Sequence, residues 1–365
     1  MHPTGGCKRD DSLNGHILSF TALAEVFPDG QKIAAAILEF DRVIDNKELS
    51  IALFSVKDRT ITKAYANIVS ERAAEGKNGK YVILELSLED AGAPVLPKPG
   101  PRMGGGPESH RGTAPEIPLR ARRPLQLTVK QIGDIAAADG TVLPAYEDEI
   151  VSTRACQPIV DDFRQYEFRG LPYNLFVPKA YDGNKRYPLV MFIADASANS
   201  DDPLVPLVQG IGGVIWAAPE GQAKNACFVL VPQIPHNVHL TRDNFSVSPE
   251  LETIKSLLDD VASRYNIDRN RIYTTGQSQG CMASCELNVR YPGYFAASLL
   301  VSGQWNPQTM AEKLVKQHLF IALSEGGPCE FPGMNAVTAA LEAAGAQVAR
   351  AYLNARESKE ALVPA

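Results

Sequence analysis

Histidine is scarce in this chain, cysteine is unpaired and charge is nearly balanced, and each shortage narrows what the protein can do. Six histidines occur in 365 residues, and none follows His318. The six cysteines, Cys7, Cys156, Cys227, Cys281, Cys285 and Cys329, form no C-x-x-C pair and have no histidine at zinc-binding spacing, so buried free thiols are the expectation. Cys281 and Cys285 lie one helical turn apart. They read as small packing residues in preference to a redox pair or a metal half-site. A formal charge of -6 gives no footprint for nucleic acid. The one basic cluster, Arg120, Arg122 and Arg123, sits in a proline-rich stretch without interleaved aromatics and reads as a solvated linker. No apolar run approaches the length of a membrane span, which argues against a membrane partner. The N-terminus from Met1 to Asp11 is polar, with no apolar stretch ahead of a small-residue cleavage site, so the chain as written carries no export signal and reads as cytoplasmic.

What is present is enough apolar material, 45% of residues, for two domains with separate cores. The most informative stretch is Gly276-Gln277-Ser278-Gln279-Gly280, a G-x-S-x-G directly after the strand-like Arg271-Ile272-Tyr273. In a nucleophile elbow the serine occupies a strained strand-to-helix turn, and the glycines are there because a Cβ would strike the neighbouring strand or helix. Upstream, Ser248-Pro249-Glu250 reads as an N-cap with proline at the first helical position. Leu251, Ile254, Leu257, Leu258, Val261 and Tyr265 then repeat at helical spacing, and Asn266 to Asn270 reads as a polar turn. Downstream, Cys281 to Tyr291 has no breaker before Pro292. Ser278 is thereby expected at a helix N-terminus, where backbone N–H groups and the dipole favour an oxyanion.

Taken in order, residues 1–15 read as a disordered N-terminus, and residues 16–157 as an all-β sandwich. The sandwich strands are His16 to Leu23, Lys32 to Phe40, Tyr81 to Leu86, Leu125 to Ile132 and Glu149 to Thr153. A Pro/Gly-rich stretch at 91–124 reads as a long surface loop of this first domain. Residues 158–365 follow a different pattern. Leu171 to Pro178 is extended and edge-like, and four continuous apolar strands, Tyr187 to Ile193, Cys227 to Pro232, Ala297 to Val301 and Leu319 to Leu323, alternate with helical segments. Such strands are buried on both faces, so the expected class is α/β, a mainly parallel sheet flanked by helices with its site at the carboxyl ends of the strands.

The wording of several stretches is more specific than the elbow. Arg271 to Ser278, Arg290-Tyr291-Pro292 with Phe295 to Ser298, Gly303-Gln304-Trp305, Ser324-Glu325-Gly326 and Pro332 to Asn335 together resemble bacterial α/β-hydrolase esterases that carry an N-terminal immunoglobulin-like domain. These are relatives of polyhydroxybutyrate depolymerases and feruloyl esterases. Lys80 to Leu86 resembles a strand of that family's Ig-like domain. The resemblance implies ester hydrolysis by a Ser-His-Asp triad through an acyl-enzyme, without a cofactor or metal, on a small-molecule ester. Many relatives are exported, and their Ig-like domain suggests homo-oligomer contacts. Ser278 would be the nucleophile, and the N–H of Gln279 one oxyanion donor. The other would come from Ala194-Asp195-Ala196-Ser197, with the amide of Ala196 the specific expectation. Ala194 and Ser197 replace the histidine and glycine usual in that loop.

The rest of the triad departs from the family. Gly327 stands at the aspartate position, leaving Glu325 as a weak candidate acid. The histidine should follow the acid, and none does. His318 precedes the strand and is out of reach, while His236 and His239 read as loop histidines on the rim without an acid or cysteine partner, or as a weak metal half-site. Loss of the histidine base costs on the order of 10⁶ in turnover. The expectation is therefore a serine esterase interrupted at its C-terminus and impaired. A catalytically silent binding or assembly protein and a serine peptidase on the same fold are the alternatives.

Overall fold

The structure, a computed structural model, describes residues 13, 15–97, 119–326 and 330–354. The expectations for residues 1–12, for most of the 91–124 stretch and for Gly327 therefore fall outside the described residues. The chain divides into two compact units, the first made of residues up to Val95 and from Arg123 to Pro158, the second of Leu96–Arg122 and everything from Ile159.

Alternating strands with turn residues between them build the first unit. Its main sheet comprises β1 (Ile17–Phe27), β2 (Gly30–Ile44), β4 (Ile61–Asn67), β5 (Gly79–Leu86) and β10 (Arg154–Cys156), in the order β10-β1-β2-β5-β4. A second sheet holds β3 (Phe54–Val56), β6 (Thr128–Gln131) and β9 (Ile150–Val151), and β7 (Ile135–Ala136) pairs with β8 (Val142–Leu143). Phe20, Leu38, Phe40, Val82 and Leu84 of the first sheet meet Phe54, Val129 and Ile150 of the second in one core. This is the expected Ig-like sandwich. Gly30, at φ 118°, closes the β1–β2 hairpin where the sequence reads Pro28-Asp29-Gly30.

The second unit is an eight-stranded sheet of α/β-hydrolase type. Its strands are β11 (Arg164–Phe168), β12 (Leu171–Phe176), β13 (Tyr187–Ile193), β14 (Phe228–Pro232), β15 (Ile267–Gln277), β16 (Ala297–Val301), β17 (Leu319–Ser324) and β18 (Ala349–Leu353), in the order β11-β12-β14-β13-β15-β16-β17-β18. Both pairs that β12 makes, with β11 and with β14, are antiparallel; every pair from β14 to β18 is parallel. β12 is not the edge expected of it. Arg169 and Gly170, both at positive φ, turn the chain from β11 into β12, and β11 covers that side.

The helices are α1 (Val205–Val208), α2 (Pro219–Lys224), α3 (Glu250–Arg264), α4 (Gln279–Arg290), α5 (Pro307–Lys313) and α6 (Glu330–Ala343). Helix α3 seats Leu251, Ile254, Leu257, Leu258 and Val261 against Leu189, Met191 and Ile272. Two local expectations change here. Ser248 gives its carbonyl, not its hydroxyl, to the helix start, because Pro249 occupies the cap position. Asn266 to Asn270 is no separate turn: β15 already begins at Ile267, and the register break between Tyr187 and Leu189 absorbs the polar residues as a bulge.

Candidate active site

Ser278 stands between the last residue of β15 and the first of α4, with φ 52° and ψ -115°. A side chain held at positive φ is strained, and such strain persists only where the surroundings fix it. Here the two glycines provide the fixing. A Cβ on Gly276 would lie 2.5 Å from the backbone of Gly280 and from the carbonyl oxygen of Ile193, and one on Gly280 only 1.8 Å from that same oxygen. The strand, the helix and the end of β13 therefore touch backbone to backbone. The Ser278 N–H donates to Val301 O at 3.0 Å, and its carbonyl accepts from Met282 at 3.0 Å. Its partly exposed hydroxyl has no hydrogen-bond partner among the described residues. Beneath it, Thr274 Oγ1 meets Ser284 Oγ at 2.9 Å, and Asn288 Nδ2 donates to Ser284 O and to Ser298 Oγ, pinning α4 to the sheet.

The loop after β13 lies against this elbow, since Ile193 pairs with Gly276 and both Ile193 and Ala194 carbonyls crowd Gly280. Asp195 caps a single 3₁₀ turn, Ala196–Ala198, its Oδ1 accepting the Ser197 N–H at 2.7 Å. No backbone hydrogen bond consumes the N–H of Ala196 or of Gln279. The Gln279 N–H opens α4, at a helix N-terminus where a negative charge is favoured, and the Ala196 N–H opens the 3₁₀ turn. The side chain of Gln279 is buried and ties the loop to the elbow: Nε2 donates to Asn199 Oδ1 at 3.0 Å, and Oε1 accepts from Leu240 N at 3.1 Å. Gln233 donates to the carbonyls of Ala198 and Ser200 from the other side. Asn199 and Gln233 carried no sequence signal beyond being polar residues near apolar strands.

The basic cluster is not a solvated linker. Arg120 is half-buried, with Nη1 donating to Ser197 O and to Ser197 Oγ, each at 3.3 Å. Arg122 Nε donates to Asp202 Oδ2 at 2.6 Å. Leu96, Pro97 and residues 119–122 accordingly pack with the second unit, where a surface loop of the first was expected.

The remaining triad candidates do not converge on Ser278. Glu325 sits past the carboxyl end of β17, two strands from β15, with its N–H on Leu353 O and its side chain exposed, without a hydrogen-bond partner among the described residues. His318 lies at the opposite end of β17, its carbonyl accepting from Ser298 N, and it helps line a cavity of about 1080 Å³ between α2 and the sheet. That cavity opens on Val190, Tyr273, Leu299 and Phe320 and does not include Ser278. His236 does have an acid partner, contrary to expectation: its Nδ1 lies 2.8 Å from Asp201 Oδ1, on an exposed rim. His239 is held below the usual histidine pKa by burial and then by Arg242. It directly precedes Leu240, whose N–H meets the Gln279 side chain. No hydrogen bond joins any histidine to Ser278 among the described residues, and no three metal-ligating side chains cluster there.

Comparison with known proteins agrees with this architecture. Residues 19–144 match the family model of the esterase Ig-like N-terminal domain. A solved structure described as a thermostable esterase is 29% identical over 93% of this chain and 91% of its own, with a TM-score of 0.82. A ferulic acid esterase is 13% identical over 53% of this chain and 89% of its own, at a TM-score of 0.40. An acylaminoacyl peptidase of Pyrococcus horikoshii is 12% identical over 63% of this chain and 43% of its own, at 0.43. No curated protein matches the chain.

Proposed function

We propose, starting from an esterase-type Ig-like N-terminal domain joined to an α/β-hydrolase domain, that the chain is a serine carboxylic ester hydrolase with Ser278 as its nucleophile. The observation that carries this reading is the backbone of Ser278, held at φ 52° between two glycines with its hydroxyl uncommitted and the N–H of the next residue, Gln279, free of backbone hydrogen bonds. Ser278 Oγ adds to the ester carbonyl, and the N–H groups of Gln279 and Ala196 receive the oxyanion. The C–O bond of the leaving alcohol breaks, the alkoxide takes up the proton released by the serine, and water hydrolyses the acyl-enzyme. The chemistry calls for no cofactor.

The same reading carries low turnover. Among the described residues no imidazole is hydrogen-bonded to Ser278, and a serine nucleophile served only by its oxyanion hole and by binding loses on the order of 10⁶. The test uses p-nitrophenyl acetate with and without added imidazole, beside Ser278→Ala. The expected outcome is weak hydrolysis that imidazole raises in the parent and not in the variant, together with fluorophosphonate labelling confined to Ser278. Absence of labelling would leave the catalytically silent reading in place, and brisk turnover without imidazole would remove the impairment. Faster cleavage of a peptide anilide than of the ester would move the assignment to a peptidase.

A further inference from the structure

Arg120 reaches the loop of the second oxyanion donor from a part of the sequence far from it. Its Nη1 donates to the carbonyl and the hydroxyl of Ser197, one residue after Ala196. Its Nε and Nη2 both donate to Pro97 O, at 2.9 and 2.6 Å, so the guanidinium is itself anchored from behind. The carbonyl of Arg120 accepts from Ser200 Oγ at 3.3 Å, and two residues on Arg122 pairs with Asp202. The stretch 119–122 thus runs along residues 197–202 and is fastened at three points. The carboxylate of Asp195, which caps the Ala196 turn, attracts the Arg120 cation from across the loop. Burial lowers the arginine's pKa, but a guanidinium stays charged at any working pH.

We infer that Arg120 is a positioning residue of the oxyanion hole, holding the Ala194–Ser197 loop so that the Ala196 N–H faces the tetrahedral intermediate formed on Ser278. The inference rests on the serine-hydrolase reading. The loop needs this support because a one-turn 3₁₀ segment with one side-chain cap is weakly held. Asp195 fixes the Ser197 N–H and Arg120 fixes the Ser197 carbonyl, so the peptide groups before and after Ser197 are each held. Displacing such a donor by about 1 Å costs up to about 10² in rate.

The test compares the full chain with Arg120→Ala, Arg120→Lys and Ser197→Ala, with Ser278→Ala as the blank. Two readouts are the second-order rate of fluorophosphonate labelling at Ser278 and KM for p-nitrophenyl acetate with imidazole present. The thermal midpoint is measured alongside. Arg120→Ala is expected to label about 10- to 100-fold more slowly with KM changed less than about twofold, because the donor acts on the tetrahedral species and not on bound ester. Arg120→Lys is expected to recover most of the rate, since an ammonium can still donate to Ser197 O. Labelling of Arg120→Ala at the parental rate overturns the inference. So does a slow rate that Lys fails to rescue while its midpoint returns to the parental value. If Arg120→Ala does not fold, Arg120→Met, which keeps the apolar stem and removes the donors, takes its place: labelling at the parental rate with a lowered midpoint would assign Arg120 to stability only. A parent chain that is not labelled at Ser278 rejects the nucleophile reading itself, a result distinct from all of these.

Discussion

The strain at Ser278 is legible from two residues on either side of it. Gly280 is the tighter of the two glycines, because the atom its Cβ would strike is the backbone oxygen of Ile193 and not the end of a flexible side chain. Gly280→Ala therefore cannot be absorbed by a rotamer change. It is expected to cost about 3 kcal/mol or more in urea unfolding and to abolish Ser278 labelling. A loss below about 1 kcal/mol would show that β13 and α4 can separate, and would weaken the elbow as the rigid centre of the site. What the sequence could not give at this scale was the partner of each polar side chain. His236 lacks a nearby acid in sequence, yet Asp201 is 2.8 Å away. The approach follows from β14 and the loop after β13 ending at the same side of the sheet, a property of strand order and not of composition.

Among the elements, α4 bears the site, and its attachment to the sheet is unusually polar. Thr274, Ser284, Asn288 and Ser298 are all buried and bonded to one another between β15, β16 and the helix. Asn288→Ala would leave Ser298 Oγ without its donor, and an unsatisfied buried group costs about 1–3 kcal/mol. A drop of that size in the unfolding free energy is the expected result, and a change under about 0.5 kcal/mol would mean that Ser298 finds another partner. Cys281 and Cys285, fully buried on the same helix, complete its packing against Leu300, Ile321 and Trp305. The Cys285 thiol is pushed well above the usual range, first by its hydrogen bond with Cys281 and then by burial, which suits packing better than redox chemistry. Element type was readable throughout from apolar periodicity. Element ends were not: β15 starts at Ile267, inside what reads as a polar turn, because pairing with Tyr187 outweighs local turn propensity.

For the molecule as a whole, the second unit is not encoded by one contiguous stretch. Leu96 and residues 119–122 belong to it, while Val95 and Arg123, which join each other by a hydrogen bond, belong to the first. A chain starting at Ile159 would keep every strand of the hydrolase sheet and lose Arg120 and Arg122. Such a chain is expected to melt at a lower temperature than the corresponding transition of the full chain. It should also label at Ser278 at least as slowly as Arg120→Ala. Equal labelling of the two-domain chain and of residues 159–365 would show that the strap is dispensable. Composition hid this arrangement: proline, glycine and arginine without aromatics describe a solvated linker well, and nothing local marks the two arginines that acquire partly buried partners.

The amino-acid sequence alone determined the two fold classes, the continuous apolar strands of the second unit and the elbow itself. All three depend on short-range rules, the period of apolar residues and the sterics of a serine between glycines. The tertiary structure decided what surrounds Ser278: Gln279 bonded to Asn199 across 80 residues, Arg120 to Ser197 across 77, and His236 to Asp201 across 35. Those pairings are fixed by which strand ends the sheet order brings side by side, and strand order is a global result of burying both faces of a parallel sheet.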